Sequence, residues 1–152
     1  MTTNASTFEG ITVGLGQGDG ASVAPGSDTF DLILEVESFD GPGGETPIID
    51  VTHNGSSAKE KLVGLPDEGQ FTVTGNLVVG DTGQDAARAA RASRTLKNVQ
   101  VTLNDYAATG SVLDFKAFVT GFKINGAKED KISVSMTFEI SGPVTYTTGS
   151  DV

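Results

Sequence analysis

Alternation with a period of two constrains this chain more than any other feature. In "ISVSMTFEIS", Ile132, Val134, Met136, Phe138 and Ile140 fall on one side, and Ser133, Ser135, Thr137 and Glu139 fall on the other. Side chains of an extended strand point alternately to opposite faces, so such a row makes one face for a core and one for water. Three more stretches alternate in the same way. "FDLILEVES" aligns Phe30, Leu32, Leu34 and Val36; "NVQVTLN" aligns Val99, Val101 and Leu103; "QFTVTGNLVV" aligns Phe71, Val73, Leu77 and Val79, with Gly75 interrupting the row. A fifth, "VLDFKAFVTGFKI", puts Leu113, Phe115, Ala117 and Val119 on one face and Phe118 and Phe122 on the other. A strand that is apolar on both faces is covered on both or lies at an interface. Ile11–Val13 and Val144–Tyr146 are candidate edge strands.

The remaining sequence fits a mainly β chain. The 20 glycines are about twice the average usage and sit between the alternating runs, where turns belong. One helix is expected, over "DTGQDAARAARASRT". Asp81 or Thr82 caps it, Asp85 lies in the first turn and Arg91 and Arg94 lie near its negative end. Its alanines favour helix but bury little surface, so the helix would lie close against a sheet. Two long segments, 14–28 and 41–64, carry almost no periodic signal beyond the β-like patch Ile48–Thr52. Loops beyond about 12–15 residues are usually functional or disordered. No linker or repeat divides the chain, and residues 1–152 are expected to form one domain.

Composition excludes several functions. A formal net charge of -10 argues against binding nucleic acid through phosphate neutralisation. With no cysteine, neither a disulfide framework nor a thiolate metal site can form. The N-terminal "MTTNASTFEG" lacks the basic and apolar regions of a secretory signal, and no apolar run is long enough to span a membrane, so an acidic, soluble, intracellular protein is expected. Asn4 and Asn54 head glycosylation triplets, which are frequent by chance.

The candidate chemical motifs are weak. In "GLGQGDG", Asp19 stands where a dinucleotide fingerprint needs its third glycine. Its single glycine- and aspartate-rich unit also lacks the stacked copies of a calcium-binding repeat. His53 is the only histidine, with no partner at metal-ligand spacing, and the acidic residues are isolated in loops. The expectation is no catalytic residue, no metal, no cofactor and no enzymatic activity. Arg88, Arg91 and Arg94 recur every three residues, either as a solvated stripe or as a patch pairing with acidic surface on another copy.

The order of these features resembles a known family. A Gly-rich "ITVGLGQGDGAS" precedes "FDLILEVESFDGPG", then "IIDVTHNGS", "KEKLVGLPDEGQFTVTGNLV", the Ala-rich helix, "NVQVTLND" and "FKAFVTGFKINGAKEDKISVSMTFEISGPVT". This run, from about Gly10 to Thr145, resembles the tail tube (major tail) proteins of long, flexible-tailed bacteriophages of the lambda type and of related tail-like particles. The helix carries Ala and Arg where relatives more often carry leucines, and "NDYAATGSVL" is longer than the usual tight turn.

The resemblance implies a β-sandwich or half-barrel flanked by one helix, with long loop arms. It implies a structural virion protein whose hexameric rings stack into a hollow tube, assembled in the bacterial cytoplasm and located in the virion tail. Its partners would be further copies of itself, a tape-measure protein and tail-tip or terminator proteins, and DNA would pass through the lumen without specific binding. The segment from Pro47 to Leu65 corresponds to the family's arm, which reaches a neighbouring subunit or ring. Thr52, His53, Asn54, Glu60, Lys61, Asp67 and Glu68 are then contact candidates, with Arg88, Arg91, Phe118 and Phe122 on the body. The competing reading is a monomeric β-sandwich binding module using the two long loops. It lacks an aromatic platform, since there is no Trp and only Tyr106 and Tyr146.

Overall fold

A computed structural model of the chain describes residues 9–106 and 108–151. The "MTTNASTFEG" reading, apart from its last two residues, and the Asn4 triplet lie outside them. In chain order the strands are β1 (Thr12–Gly16), β2 (Phe30–Leu32), β3 (Val36–Asp40), β4 (Ile48–Asp50), β5 (Lys61–Val63), β6 (Gln70–Asn76), β7 (Leu96–Thr102), β8 (Val112–Asn125), β9 (Ser133–Ile140) and β10 (Thr145–Thr147). One α-helix, α1 (Thr82–Ser93), lies between β6 and β7, and a 3-10 turn covers Pro25–Ser27.

Eight of these strands form one sheet in the order β2-β1-β7-β8-β9-β6-β3, with β10 added to β8, and all its named pairs are antiparallel. The two edge strands, β2 and β3, are consecutive in the chain and separated by only Ile33–Glu35. Four Cα steps span at most about 14 Å, so the sheet must coil until its edges nearly meet. Hydrogen bonds pin the crossing: Ile33 N donates to Val13 O and Asn76 N to Glu35 O. The sheet stays open between these edges, a half-barrel with one helix, as expected.

"FDLILEVES" is therefore not one strand. It breaks where the chain changes edges, with Glu35 at φ 53°. Ile33 enters the core, whereas Leu32 and Leu34, expected inside, are exposed. The other rows follow the pattern more closely. Phe71, Val73, Val99, Val101, Val134, Met136, Phe138 and Ile140 are all buried. Phe71 stacks edge-on to Phe115 at 5.2 Å and lies 5.9 Å from Phe138. Burying each such ring contributes about 1.5–3 kcal/mol, and each ring pair about 0.5–1.5 more. β6 stops at Asn76, so Leu77 is only partly buried and Val79 is exposed. Ile11–Val13 was expected at an edge; the strand there, β1, is interior, paired with both β2 and β7.

A β-bulge at Thr120 explains the two-faced strand. The pairing Val119↔Phe138 is followed by Gly121↔Thr137, which leaves one extra residue on β8 and inverts the alternation beyond it. Phe118 keeps its outward position and is 40% exposed. Phe122, expected on that same outer face, turns back and packs against the core.

Helix α1 forms as the caps predict. The Asp81 side chain accepts from Gln84 N, and Arg94 closes the other end in the left-handed conformation. The alanines let it sit tight: Ala87 and Ala90 are buried, and Gly83 lies directly on the Leu32 and Ile33 backbone, where a Cβ would collide. The buried Gln84 amide then ties three segments together. It donates to Asn76 O at 2.8 Å and Leu34 O at 3.5 Å, and accepts from Val78 N at 3.1 Å.

Candidate assembly interface

Of residues 14–28, aperiodic in sequence and expected as a loop, Gly14–Gly16 belong to β1, and residues 17–28 are stitched over β7 and β8. Asn98 donates to Val23 O at 3.0 Å and Asp28 Oδ2 at 2.8 Å. The Asp28 carboxylate also accepts from Gly18 N and Thr29 N. Lys97 Nζ donates to Gln17 O and Gly18 O, and Lys116 Nζ donates to Gly20 O. Partial burial alone would raise the Asp28 pKa. The hydrogen bonds from Asn98, Gly18 and Thr29, with the Lys97 charge, outweigh it and hold the carboxyl below its ordinary value. Asn98, on the face of β7 opposite Val99 and Val101, is 0% exposed.

Residues 41–64 are built differently. β4 and β5 form a separate two-stranded ladder that pairs Ile48 with Val63, Ile49 with Leu62 and Asp50 with Lys61. Val51 N→Glu60 O and Gly64 N→Pro47 O extend it by one bond at each end. Because alternate residues face opposite ways, Ile48 and Val63 lie on one face and Ile49 and Leu62 on the other. All four are exposed; Val63 is 71% and the adjoining Leu65 88% accessible. An isolated hairpin is at best marginally stable in water, and this one exposes apolar side chains on both faces, with the Asp50–Lys61 pair sharing the Ile48–Val63 face. The sequence reading placed the arm but did not single out these apolar residues. The doublets Ile48-Ile49 and Leu62-Val63 carry the signal, since neighbours in a strand must face opposite sides.

The polar candidates divide between the arm's tip and base. At the tip, Thr52 Oγ1 donates to Glu60 O and accepts from Glu60 N. Glu60 Oε2 accepts from Ser56 Oγ at 2.7 Å and lies 3.3 Å from His53 Nε2. Asn54 stands in the turn between His53 and Ser56. Lys61 is on β5. At the base, Asp67 N donates to Glu45 O, and the Asp67 carboxylate accepts from Gly69 N; Glu68 is half-buried beside it. Thr52, His53, Asn54, Glu60, Lys61, Asp67 and Glu68 thus belong to one projection.

The body candidates lie elsewhere. Arg88 pairs with Asp85 at 2.6 Å and lies over the Phe122 ring, and Arg91 Nε donates to Thr120 O at the bulge. Part of the basic stripe is therefore used within the chain. Phe118 stands on the outer face of β8, opposite Leu96. At the end of β6 away from the arm, Leu34, Val79, Ile124 and Ile132 are exposed together around the start of α1 and the β8–β9 turn. A recess of about 340 Å³ between α1 and β1 includes Asp31, Ala86 and Lys97 in its lining. Among the described residues, no group of three or more His, Asp or Glu side chains could hold a metal ion, and no helix is long and apolar enough to cross a membrane.

No family model matches the sequence, and neither does any curated protein. Solved structures do. The SPP1 tail tube is 12% identical at a TM-score of 0.70, over 95% of this chain and 80% of that one. The tail of an empty GTA particle, with C6 symmetry, is 16% identical at 0.68, over 95% of this chain and all of that one. A sheath/tube terminator structure of an extracellular contractile injection system is 14% identical at 0.70, over 97% of this chain and all of that one. At these identities the likeness carries the architecture alone: the coiled sheet with its one α-helix has the tail-tube fold.

Proposed function

We propose that this chain is the structural subunit of a hollow tail tube, built from hexameric rings that stack into a conduit for DNA. The observation that carries this reading is the arm: a hairpin apolar on both faces with neither face covered, on a fold shared with tail tubes. Its natural cover is another copy. The arm leaves the body at the Gln70 end of β6, and the exposed Leu34, Val79 and Ile132 surround the Asn76 end, about 20 Å away at ~3.3 Å per residue. An arm at one end and an apolar surface at the other make a heterologous, head-to-tail contact, which repeats along a stack. Thr52, His53, Asn54, Glu60, Lys61, Asp67 and Glu68 form the polar rim of that contact, and Phe118 serves contacts between neighbours within a ring.

On this reading the protein is not an enzyme and uses no cofactor. It works in the virion tail after assembly in the bacterial cytoplasm, with a tape-measure protein and tail-tip or terminator proteins as further partners. The net charge of -10 suits a tube through which DNA slides without adhering.

Negative-stain electron microscopy across a concentration series, with sizing of the same samples, tests the reading. Rings or hollow tubes are expected, and a strictly monomeric particle at every concentration would contradict it. The polarity has its own test, because the chain has no cysteine. A variant carrying both Val63→Cys and Ile132→Cys should oxidise to a ladder of covalent multimers, and tubes without a ladder would refute the head-to-tail contact alone.

A further inference from the structure

One hydrogen bond at the arm's tip falls on a reactive nitrogen. Ser56 N donates to His53 O at 2.9 Å, closing a turn with Asn54 and Gly55 at its centre. Within it, Gly55 N donates to His53 Nδ1 at 3.1 Å. An Nδ1 that accepts leaves the neutral imidazole its proton on Nε2, and Nε2 faces Glu60 Oε2 at 3.3 Å. Glu60 therefore places its charge beside the protonated nitrogen, and the ring addresses the Gly55 nitrogen. That nitrogen is the atom that can attack the side-chain amide of the preceding Asn54. Glycine leaves its approach unhindered, whereas a Cβ at position 55 would press on the imidazole at 3.2–3.3 Å.

We propose that the arm tip is a self-modification site, in which His53, with the Glu60 carboxylate beside it, acts as general base for cyclisation of Asn54 onto Gly55 N. The Gly55 N–Asn54 Cγ bond forms as the amide proton passes to His53 Nδ1, giving an imidazolium stabilised by the Glu60 carboxylate. The imidazolium returns a proton to the departing side-chain nitrogen, the Cγ–N bond breaks and ammonia leaves. Water then opens the succinimide at either carbonyl, giving aspartate or isoaspartate at position 54. No electrons change hands, and water is the only co-reactant. Glu60 is the charged group that the imidazole contacts, with Lys59 and Lys61 on either side of it in the chain. The product adds one negative charge to a chain already at -10. An effect of that charge on assembly rests on the tube reading, but the chemistry belongs to the free chain, so either can fail without the other.

The test is peptide mapping by mass spectrometry of the full chain incubated over a range of pH, as wild type, His53→Gln and Glu60→Gln. Asn125–Gly126, the same dipeptide at the end of β8, serves as an internal clock. Conversion at Asn54 should be on the order of tenfold faster in wild type than in His53→Gln, below the ~10² that a positioned base typically contributes. It should level off once the imidazole is neutral, whereas the His53→Gln rate keeps climbing with hydroxide; Glu60→Gln should lie between. Equal rates and equal pH profiles in wild type and His53→Gln would overturn the proposal. So would a slower wild type, because the hydrogen bond would then be shielding Gly55 N.

Discussion

Residues 14–28 and 41–64 look alike as sequence: long, glycine-rich and without periodicity, each opening beside a strand. In the folded chain the first begins as the end of β1, and its residues 17–28 lie over β7 and β8, with carbonyls met by Lys97, Lys116 and Asn98. The second forms a ladder of its own and leaves Ile48, Ile49, Leu62 and Val63 in solvent. The difference lies in where each segment's unsatisfied groups find partners. In the first they are polar and are met inside the same chain. In the second they are apolar and must be met by something else. A loop of the first kind stabilises a monomer, while one of the second kind costs the monomer solubility and gains from association.

The largest expected effect breaks the comparison on the arm's side. Replacing Ile49 and Leu62 by Ser, or deleting Gly55–Lys61, should abolish assembly in electron micrographs and leave the melting temperature of the monomer unchanged. Persistent tubes would remove the arm from the mechanism. The converse change is Asn98→Ala, which takes away the donor to Asp28 Oδ2 and Val23 O and leaves the carboxylate only its bonds from Gly18 N and Thr29 N. It should cost about 2 kcal/mol of stability in urea unfolding, within the range for orphaning a buried partner, while the chains that fold still assemble.

Acid should separate the two segments more gently. The Asp28 pKa is depressed in the folded chain, so its contribution is full above the unfolded value of ~3.9. It is lost as pH falls through the lower, folded value. Below about pH 4 the 14–28 segment should therefore loosen, and Asn98→Ala should move the Asp28 titration, followed by NMR, upward. The smallest effect is expected from reversing Arg88 and Arg91 to Glu. Exposed pairs such as Arg88–Asp85 contribute roughly 0.3–0.5 kcal/mol, so the tubes should survive at every salt concentration. Lost assembly would put the stripe in an interface.

The β character of the chain was legible because β6 and β9 bury alternate residues, as β7 does apart from Asn98. The helix was legible because its alanines and the Asp81 cap are local signals. What escaped depends on residues far away in the chain. Ile33 replaces Leu32 and Leu34 in the core because the chain changes sheet edges there, under a helix 50 residues further on. Phe122 turns inward because of one extra residue at Thr120, which periodicity alone cannot place. Asn98 sits in the wet phase of an alternating strand, and only the return of the 14–28 segment buries it. In the candidate interface, the existence of the hairpin was legible from motif order. Its apolar surface needed the β4–β5 register, which shows that neither face has a cover.

Hydrogen–deuterium exchange on the free chain and on assembled material tests the central claim most directly. The account predicts that amides of residues 48–63 exchange quickly in the monomer and become protected on assembly, while those of 14–28 are equally protected in both. Arm amides that exchange alike in monomer and tube would contradict it.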